Sequence, residues 1–240
     1  MGLTPRVSIV IPAYQEGDGI RACLERILEA VTLPCEVLVV YDTPDDSTAG
    51  PLAAFAEGEA RVRAICNAPA RGPAAAIRRG VEEAKAPVLV VTMADGSDDP
   101  QQIDALTRLV ERGVVIACAS RYMQGGQQVG GPRLKGLLSR TAGVSLHLLG
   151  RVGTHDATNS FKAYSRAFLL EVGIESDAGF EMGIEAVAKA RRRGLPVAEL
   201  PTIWLDRTVG QSNFQIRQWL PRYLRWYLYA LRGRAGRRSG

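Results

Sequence analysis

The chain has 240 residues, 46% of them hydrophobic and 23% charged, with a formal net charge of +5. That length suits one α/β domain with a small appendage at most, enough to bury roughly 70% of the unfolded surface. Residues 214–240 carry seven arginines and no acid, which leaves the remainder at −2 and argues against a nucleic-acid-binding body.

No run reaches the roughly 18 apolar residues of a membrane span, and the apolar stretch after Arg6 stops at Pro12, short of a secretory signal. The expectation is a soluble or peripheral cytoplasmic protein. Cys23, Cys35, Cys66 and Cys118 are dispersed beside apolar residues without Cys-x-x-Cys spacing, which predicts reduced, buried thiols.

Val7 to Ile11 reads as an apolar strand that stops at Pro12-Ala13-Tyr14-Gln15-Glu16. A helix from about Asp18 to Ala30 follows, with Ile20, Cys23, Leu24, Ile27 and Leu28 at helical spacing. Glu36 to Val40 is a second strand, closed by Asp42, Asp45 and Asp46. A helix near 51–60, a third strand at Val62–Cys66, a loop with Arg71-Gly72-Pro73 and a helix near 74–84 come next. Val88 to Thr92 has lost polar alternation, as central strands of parallel sheets do, and runs into Asp95-Gly96-Ser97-Asp98-Asp99. Beyond it lie a helix near 101–111, a buried strand near 114–119, and a glycine-rich stretch at 125–131 expected to be mobile without ligand. A helix near 134–149, a strand near 160–164, a helix near 180–193 and a strand near 197–204 lead to the basic end. This alternation with short links predicts right-handed crossovers and a mostly parallel sheet flanked by helices.

Ligands of open α/β sheets bind beyond the carboxyl ends of the strands. Three of those ends carry acids: Glu16, then Asp42 with Asp45 and Asp46, then Asp95 with Asp98 and Asp99. The last group suits Mg²⁺ or Mn²⁺ bridging to a diphosphate; the alternative is a polar turn with helix capping from Ser97 or Asp98. Carboxylates after the second strand suit a base or ribose. No dinucleotide glycine fingerprint or glycine-lysine phosphate loop follows the first strand, so neither a Rossmann dehydrogenase nor a P-loop enzyme is supported. His147 and His155 are too isolated for a metal reading and are taken as structural.

Several segments together carry a resemblance. They are Pro12-Ala13-Tyr14-Gln15-Glu16, Val39-Val40-Tyr41-Asp42, Arg71-Gly72, Met93-Ala94-Asp95, Ser120-Arg121-Tyr122 with Gly125-Gly126, Asp156-Ala157-Thr158-Asn159-Ser160-Phe161-Lys162, and Pro201 through Arg207, Gly210 and Ser212. In order and spacing they resemble family 2 glycosyltransferases, most of all the dolichol-phosphate mannose synthase and polyprenyl-phosphate glycosyltransferase group, over about residues 6–213. The resemblance implies a GT-A domain at 1–213 with a basic aromatic segment at 214–240. It also implies inverting hexose transfer from a GDP- or UDP-sugar to a polyprenyl phosphate, with Mg²⁺ or Mn²⁺. Asp95 falls at the metal position; Met93 replaces the usual first acid, which leaves Asp98 or Asp99 as substitutes. Pro12, Tyr14, Glu16, Asp42, Arg71, Gly72, Asp156, Asn159, Ser160, Glu185 and Ser212 fall at matched substrate-binding positions. Arg121, Arg133 and Arg207 fall in segments resembling the acceptor-phosphate region, where guanidinium forks suit phosphate oxygens. Tyr41 and Asn213 stand where the related synthases carry an acid and a lysine.

A lipid phosphate is already anionic and needs cations rather than a general base, whereas a hydroxyl acceptor needs a base. Transfer to a hydroxyl and a non-catalytic nucleotide-sugar-binding scaffold are the competing readings. From Gln215 to Arg234, Trp219, Leu220, Tyr223, Leu224, Trp226, Tyr227 and Leu231 stand among arginines. As a helix this segment suits the cytosolic membrane interface; the other possibility is a helix docked on the core.

Overall fold

A computed structural model describes residues 4–177, 179–206 and 216–232. Strands β1 (Val7–Ala13), β2 (Cys35–Tyr41), β3 (Val62–Cys66) and β4 (Val88–Val91) alternate with helices α1 (Gly19–Ala30), α2 (Ala49–Gly58) and α3 (Pro73–Glu83). The four strands pair in parallel, with Ile9 opposite both Val37 and Val90. Successive strand residues point to opposite faces. Val10, Leu38, Val40, Leu89 and Val91 therefore pack with Ala76, Ile77 and Val81 of α3. Ile9, Ile11, Val37, Val39 and Val90 meet Ile20, Leu24 and Ile27 of α1 and Ile103 and Leu106 of α4 (Ile103–Glu111). Burial on both faces explains why these strands read as unbroken apolar runs.

Strands β5 (Ile116–Ser120), β7 (Lys162–Ser165) and β8 (Val197–Pro201) complete a seven-stranded sheet of order β3-β2-β1-β4-β7-β5-β8. The strand expected near 160–164 is present, but β7 runs antiparallel between β4 and β5, with Lys162 opposite both Val91 and Cys118. An apolar run carries no information on strand direction. An antiparallel strand begins where its parallel neighbours end, so the segment leading into β7 sits at the carboxyl ends of β4 and β5.

One expectation is corrected: the strand read across 197–204 breaks at Thr202 into β8 and β9 (Ile203–Leu205). The glycine-rich stretch at 125–131 holds a short strand, β6 (Gln127–Val129), parallel to β9. The Gln127 N–H donates to the Thr202 carbonyl at 2.8 Å and the Asp206 N–H to the Val129 carbonyl at 2.9 Å. That pairing joins segments far apart in the chain, so no local pattern reports it.

Helix α5 (Arg133–Ser145) passes into a π-helical turn at Leu146–Gly150; α6 (Arg166–Val172) and α7 (Met182–Arg193) follow. The short α6 starts where the Ser165 hydroxyl accepts the Phe168 N–H. The last described element, α8 (Ile216–Leu231), packs on α7 and on the π-helical turn. Trp226, expected at a membrane interface, is instead buried in the core with Ala230, between Lys189 and Arg225 at 5.3 and 4.7 Å from its ring. Leu220, Leu224, Leu228 and Leu231 of α8 remain exposed. Among the described residues no helix is long and apolar enough to cross a membrane.

Candidate active site

Beyond Val91 the chain turns around Asp98. Its Oδ2 accepts the Thr92 hydroxyl at 2.9 Å and the Met93 N–H at 3.1 Å. Burial pushes the Asp98 carboxyl up to about 6 despite those bonds, and the charge of Asp95 adds to the rise. The Asp95 Oδ1 accepts the Ser97 N–H at 3.1 Å, which shapes the loop. Asp99, expected as a metal ligand, accepts the Gln101 N–H at 3.1 Å and caps the turn at Pro100–Gln102. With Met93 offering no oxygen, Asp95 and Asp98 are the neighbouring carboxylates that fit a hard divalent cation. A cation would relieve both their repulsion and the burial of Asp98.

The strand ends next door are locked by acids of their own. Both oxygens of Asp42, at the end of β2, lie 3.0 Å from the Gly72 N–H at the start of α3. Gly72 has φ +86°, a conformation that glycine adopts without strain, so this loop closes tightly on Asp42. Asp42 and Gly72 are thus brought together, with Arg71 next to them in the chain. Asp46 accepts the Gln15 and Thr48 N–H groups at 3.1 and 2.8 Å, and the Glu16 N–H donates to the Thr48 hydroxyl at 3.1 Å. These bonds tie the loop after β1 to that after β2. Pro12 is buried within β1, while Tyr14 just beyond it is exposed.

On the other side of β4, the inserted β7 delivers Asp156 to the end of β5. Asp156 is fully buried and grips Arg121: Oδ2 accepts its backbone N–H at 3.1 Å and its Nε at 2.7 Å, and Oδ1 accepts its NH2 at 3.0 Å. The Asn159 N–H and the Thr158 hydroxyl add bonds of 3.1 and 3.2 Å to Oδ1. Burial alone would raise the Asp156 pKa, but Arg121 outweighs it and holds the carboxyl below its ordinary value. Lys162, also fully buried, donates to the Ala157 carbonyl at 3.2 Å, and burial lowers its pKa.

Asn159 donates to the Ala119 carbonyl at 2.8 Å and so fastens this segment to β5, with Ser160 half-buried beside it. Glu185, expected at the substrate, lies buried in α7. Its oxygens accept the Glu175 and Ser176 N–H groups at 2.7 and 2.8 Å, and Lys189 pairs with it at 2.6 Å, so here it acts as an internal brace. Arg207 and Ser212 lie outside the described residues, as does the side chain of Arg133.

Arg121 opens onto a cleft of about 550 Å³ between the β6 segment and α5, lined also by Tyr122, Met123, Gln128, Leu137 and Arg140. The Tyr122 hydroxyl donates to Gln128 at 3.0 Å across its wall. Leu137 is exposed there. Arg140 escaped the sequence reading, although its place seven residues after Arg133 puts both on one face of a helix.

The mostly parallel seven-stranded sheet flanked by helices is a GT-A fold, shared with the solved structures below. Residues 8–173 match Glycosyl transferase family 2, and the chain belongs to that family as a glycosyltransferase. It is 30% identical to the polyprenol monophosphomannose synthase of Mycolicibacterium smegmatis, over 99% of this chain and 91% of that protein. It is 29% identical to the dolichol-phosphate mannosyltransferase of Pyrococcus furiosus, over 92% of this chain and 64% of the relative. Among solved structures, the mannosyltransferase PcManGT of Pyrobaculum calidifontis, in complex with GDP-Man and Mn²⁺, superposes with a TM-score of 0.66 at 20% identity, covering 98% of this chain and 66% of the other. The glucosyl-3-phosphoglycerate synthase of Mycobacterium tuberculosis, with Mn²⁺, UDP and glucosyl-3-phosphoglycerate, gives 0.69 at 18% identity, covering 97% and 82%.

Proposed function

We propose that the chain moves a hexose, mannose for preference, from a GDP- or UDP-sugar to a polyprenyl phosphate by an inverting transfer that depends on Mg²⁺ or Mn²⁺. The names of the two sequence relatives support mannose and a lipid phosphate, and the GDP-Man and Mn²⁺ of the structural relative support the donor and the metal. The observation that carries the reading is the cleft, where Arg121 and Arg140 stand beside Met123 and exposed Leu137. Cations beside an apolar wall suit a ligand that is a phosphate at one end and a prenyl chain at the other.

Asp95 and Asp98 would hold the cation, which when bound offsets negative charge on the leaving diphosphate. An acceptor phosphate arrives already ionised, so the side chains facing it need to orient rather than deprotonate it. Asp156 serves that end by fixing Arg121 through Nε and NH2, which presets the guanidinium plane. The loop that Asp42 closes at Gly72 would set the base and ribose end of the donor.

In the division into a domain at 1–213 and a segment at 214–240, α8 is an amphipathic arm seated on the core through Trp226. Its outward leucines, with Leu134, Leu137 and Leu138 of α5 and Leu148 and Leu149 of the π-helical turn, form an exposed apolar set on contacting elements. Such a set supports peripheral contact with the cytosolic face of a bilayer, where a polyprenyl phosphate acceptor would be held.

The test is product analysis: GDP-mannose and UDP-glucose are each offered with Mn²⁺ and a short polyprenyl phosphate. A lipid-linked sugar released by mild acid is expected. Sugar transfer only to hydroxyl acceptors, giving acid-resistant glycosides, would overturn the phosphate-acceptor reading.

A further inference from the structure

We propose that His147, His155 and Glu199 form a second divalent-metal site, for Zn²⁺, separate from the Asp95 and Asp98 pair. The three residues reach one point from three elements: the π-helical turn, the loop before β7, and β8. One donor atom from each lies within 4.8 Å of the other two. The two imidazoles stack with centroids 3.6 Å apart and planes 20° from parallel.

The carboxylate is aimed by the backbone. Glu199 Oε2 accepts the His155 N–H at 2.8 Å and the Thr154 hydroxyl at 3.1 Å, while Oε1 lies 2.6 Å from His155 Nδ1. Those bonds hold the Glu199 pKa below its ordinary value although burial would raise it. His147 is the partner with an unmet need: its Nδ1 is shielded from solvent and has no hydrogen-bond partner among the described residues. Such a buried, unpaired polar atom is costly, and a metal bond would relieve it. It sits on a π-helical turn, a distortion that recurs at functional sites.

The donor chemistry separates the two sites. Two imidazole nitrogens and one carboxylate suit Zn²⁺ and its neighbours in softness, whereas Asp95 and Asp98 offer only oxygen and suit Mg²⁺ or Mn²⁺. Zinc bonds of about 2.0–2.2 Å bring tetrahedral donors to about 3.3 Å from one another. Loading therefore requires the stacked rings to splay and His155 to exchange its bond with Glu199 for one to the ion, a movement of about an ångström. The backbone behind them is fixed: a Cβ on Gly143 of α5 would lie 2.2 Å from the His155 carbonyl, so the helix rests directly on that loop. Zinc would clamp the π-helical turn and β8 to the segment that carries Asp156, and through it Arg121.

The test is a Zn²⁺ titration of the metal-stripped full chain against a chromophoric chelator, with the visible spectrum of the Co²⁺-loaded protein as a second readout. His147→Gln, His155→Gln and Asp95→Asn variants are compared, each checked for fold by circular dichroism. Expected are a Zn²⁺ site and tetrahedral Co²⁺ bands in the wild type and in Asp95→Asn, with affinity at least tenfold lower in both histidine variants. The inference is overturned if the folded histidine variants bind Zn²⁺ as tightly as wild type, or if Asp95→Asn abolishes the only Zn²⁺ binding.

Discussion

Replacing Asp156 by Asn tests the buried Asp156–Arg121 pair, on which the proposed acceptor cleft rests. Asn has nearly the shape of Asp but removes the charge that balances Arg121, whose guanidinium side chain is only 11% exposed. Five hydrogen bonds converge on the carboxylate, from the Arg121 backbone, Nε and NH2, from Asn159 and from Thr158. Breaking a buried pair from one side costs about 3–5 kcal/mol, because the remaining charge keeps its desolvation without its partner. Against a total stability of about 5–15 kcal/mol, that is a large fraction. Urea unfolding of Asp156→Asn, Arg121→Met and the Asp156→Asn/Arg121→Met double variant at pH 7.5 measures it, and the double variant should lose clearly less than the two single variants summed. The pair's contribution also has a sign with pH. The Asp156 pKa is depressed in the fold, so its stabilisation is complete above the ordinary carboxylate pKa and fades as pH falls below it. A loss under about 1 kcal/mol for Asp156→Asn at pH 7.5 would refute the view that this pair is a buried, mutually dependent unit.

Asp95→Asn should fold normally yet lose the Mn²⁺-dependent part of GDP or UDP binding. Thermal shift reads this, since a ligand at 100 times its dissociation constant stabilises by about 2.7 kcal/mol, and an unchanged Mn²⁺ effect would remove Asp95 from the metal site. Asp98→Asn in chelator should stabilise the metal-free protein above pH 6. Burial raises the wild-type carboxyl to about 6, so the fold holds a proton that the unfolded chain releases, and the stability of wild type relative to Asp98→Asn should fall by on the order of 3 kcal/mol from pH 4 to 7. Parallel pH profiles of the two proteins would contradict that environment. Leu224→Ser with Leu228→Ser changes two exposed side chains, so stability should move by less than about 1 kcal/mol while sedimentation with anionic vesicles drops; equal sedimentation would remove α8 from the membrane contact.

The first half of the fold could be read from residues because its determinants are local: an apolar run that ends in Asp42 or Asp95 marks both a strand and the edge where ligands gather. The second half is set by distant partners. Nothing near Lys162 states that its strand runs against β4 and β5, and nothing near Gln127 points to Ile203. The same separation hid the site's chemistry. Asp42 and Asp156 were found as acids at matched positions, but their partners, the Gly72 N–H and the Arg121 guanidinium, are known only once the chain is folded. His147 and His155 looked isolated because eight residues separate them; the π-helical turn and the loop after it lay one ring on the other.

The antiparallel strand between β4 and β5 also orders events in time. Strands β3, β2, β1 and β4 pair using residues before position 92, whereas in the hydrogen-bonded order of the sheet β5 joins that group through β7, which begins at Lys162. A chain made from its N-terminus can therefore zip its first four strands early, while β5 must wait for a piece of backbone synthesised some forty residues later. Asp156 is held against Arg121 just before that closing strand begins. In chain order the segment carrying Asp156 follows the strands that lead to Asp42 and Asp95 and precedes β8, so on the reading proposed above a nascent chain displays its donor-side acids before it has the means to seat an acceptor.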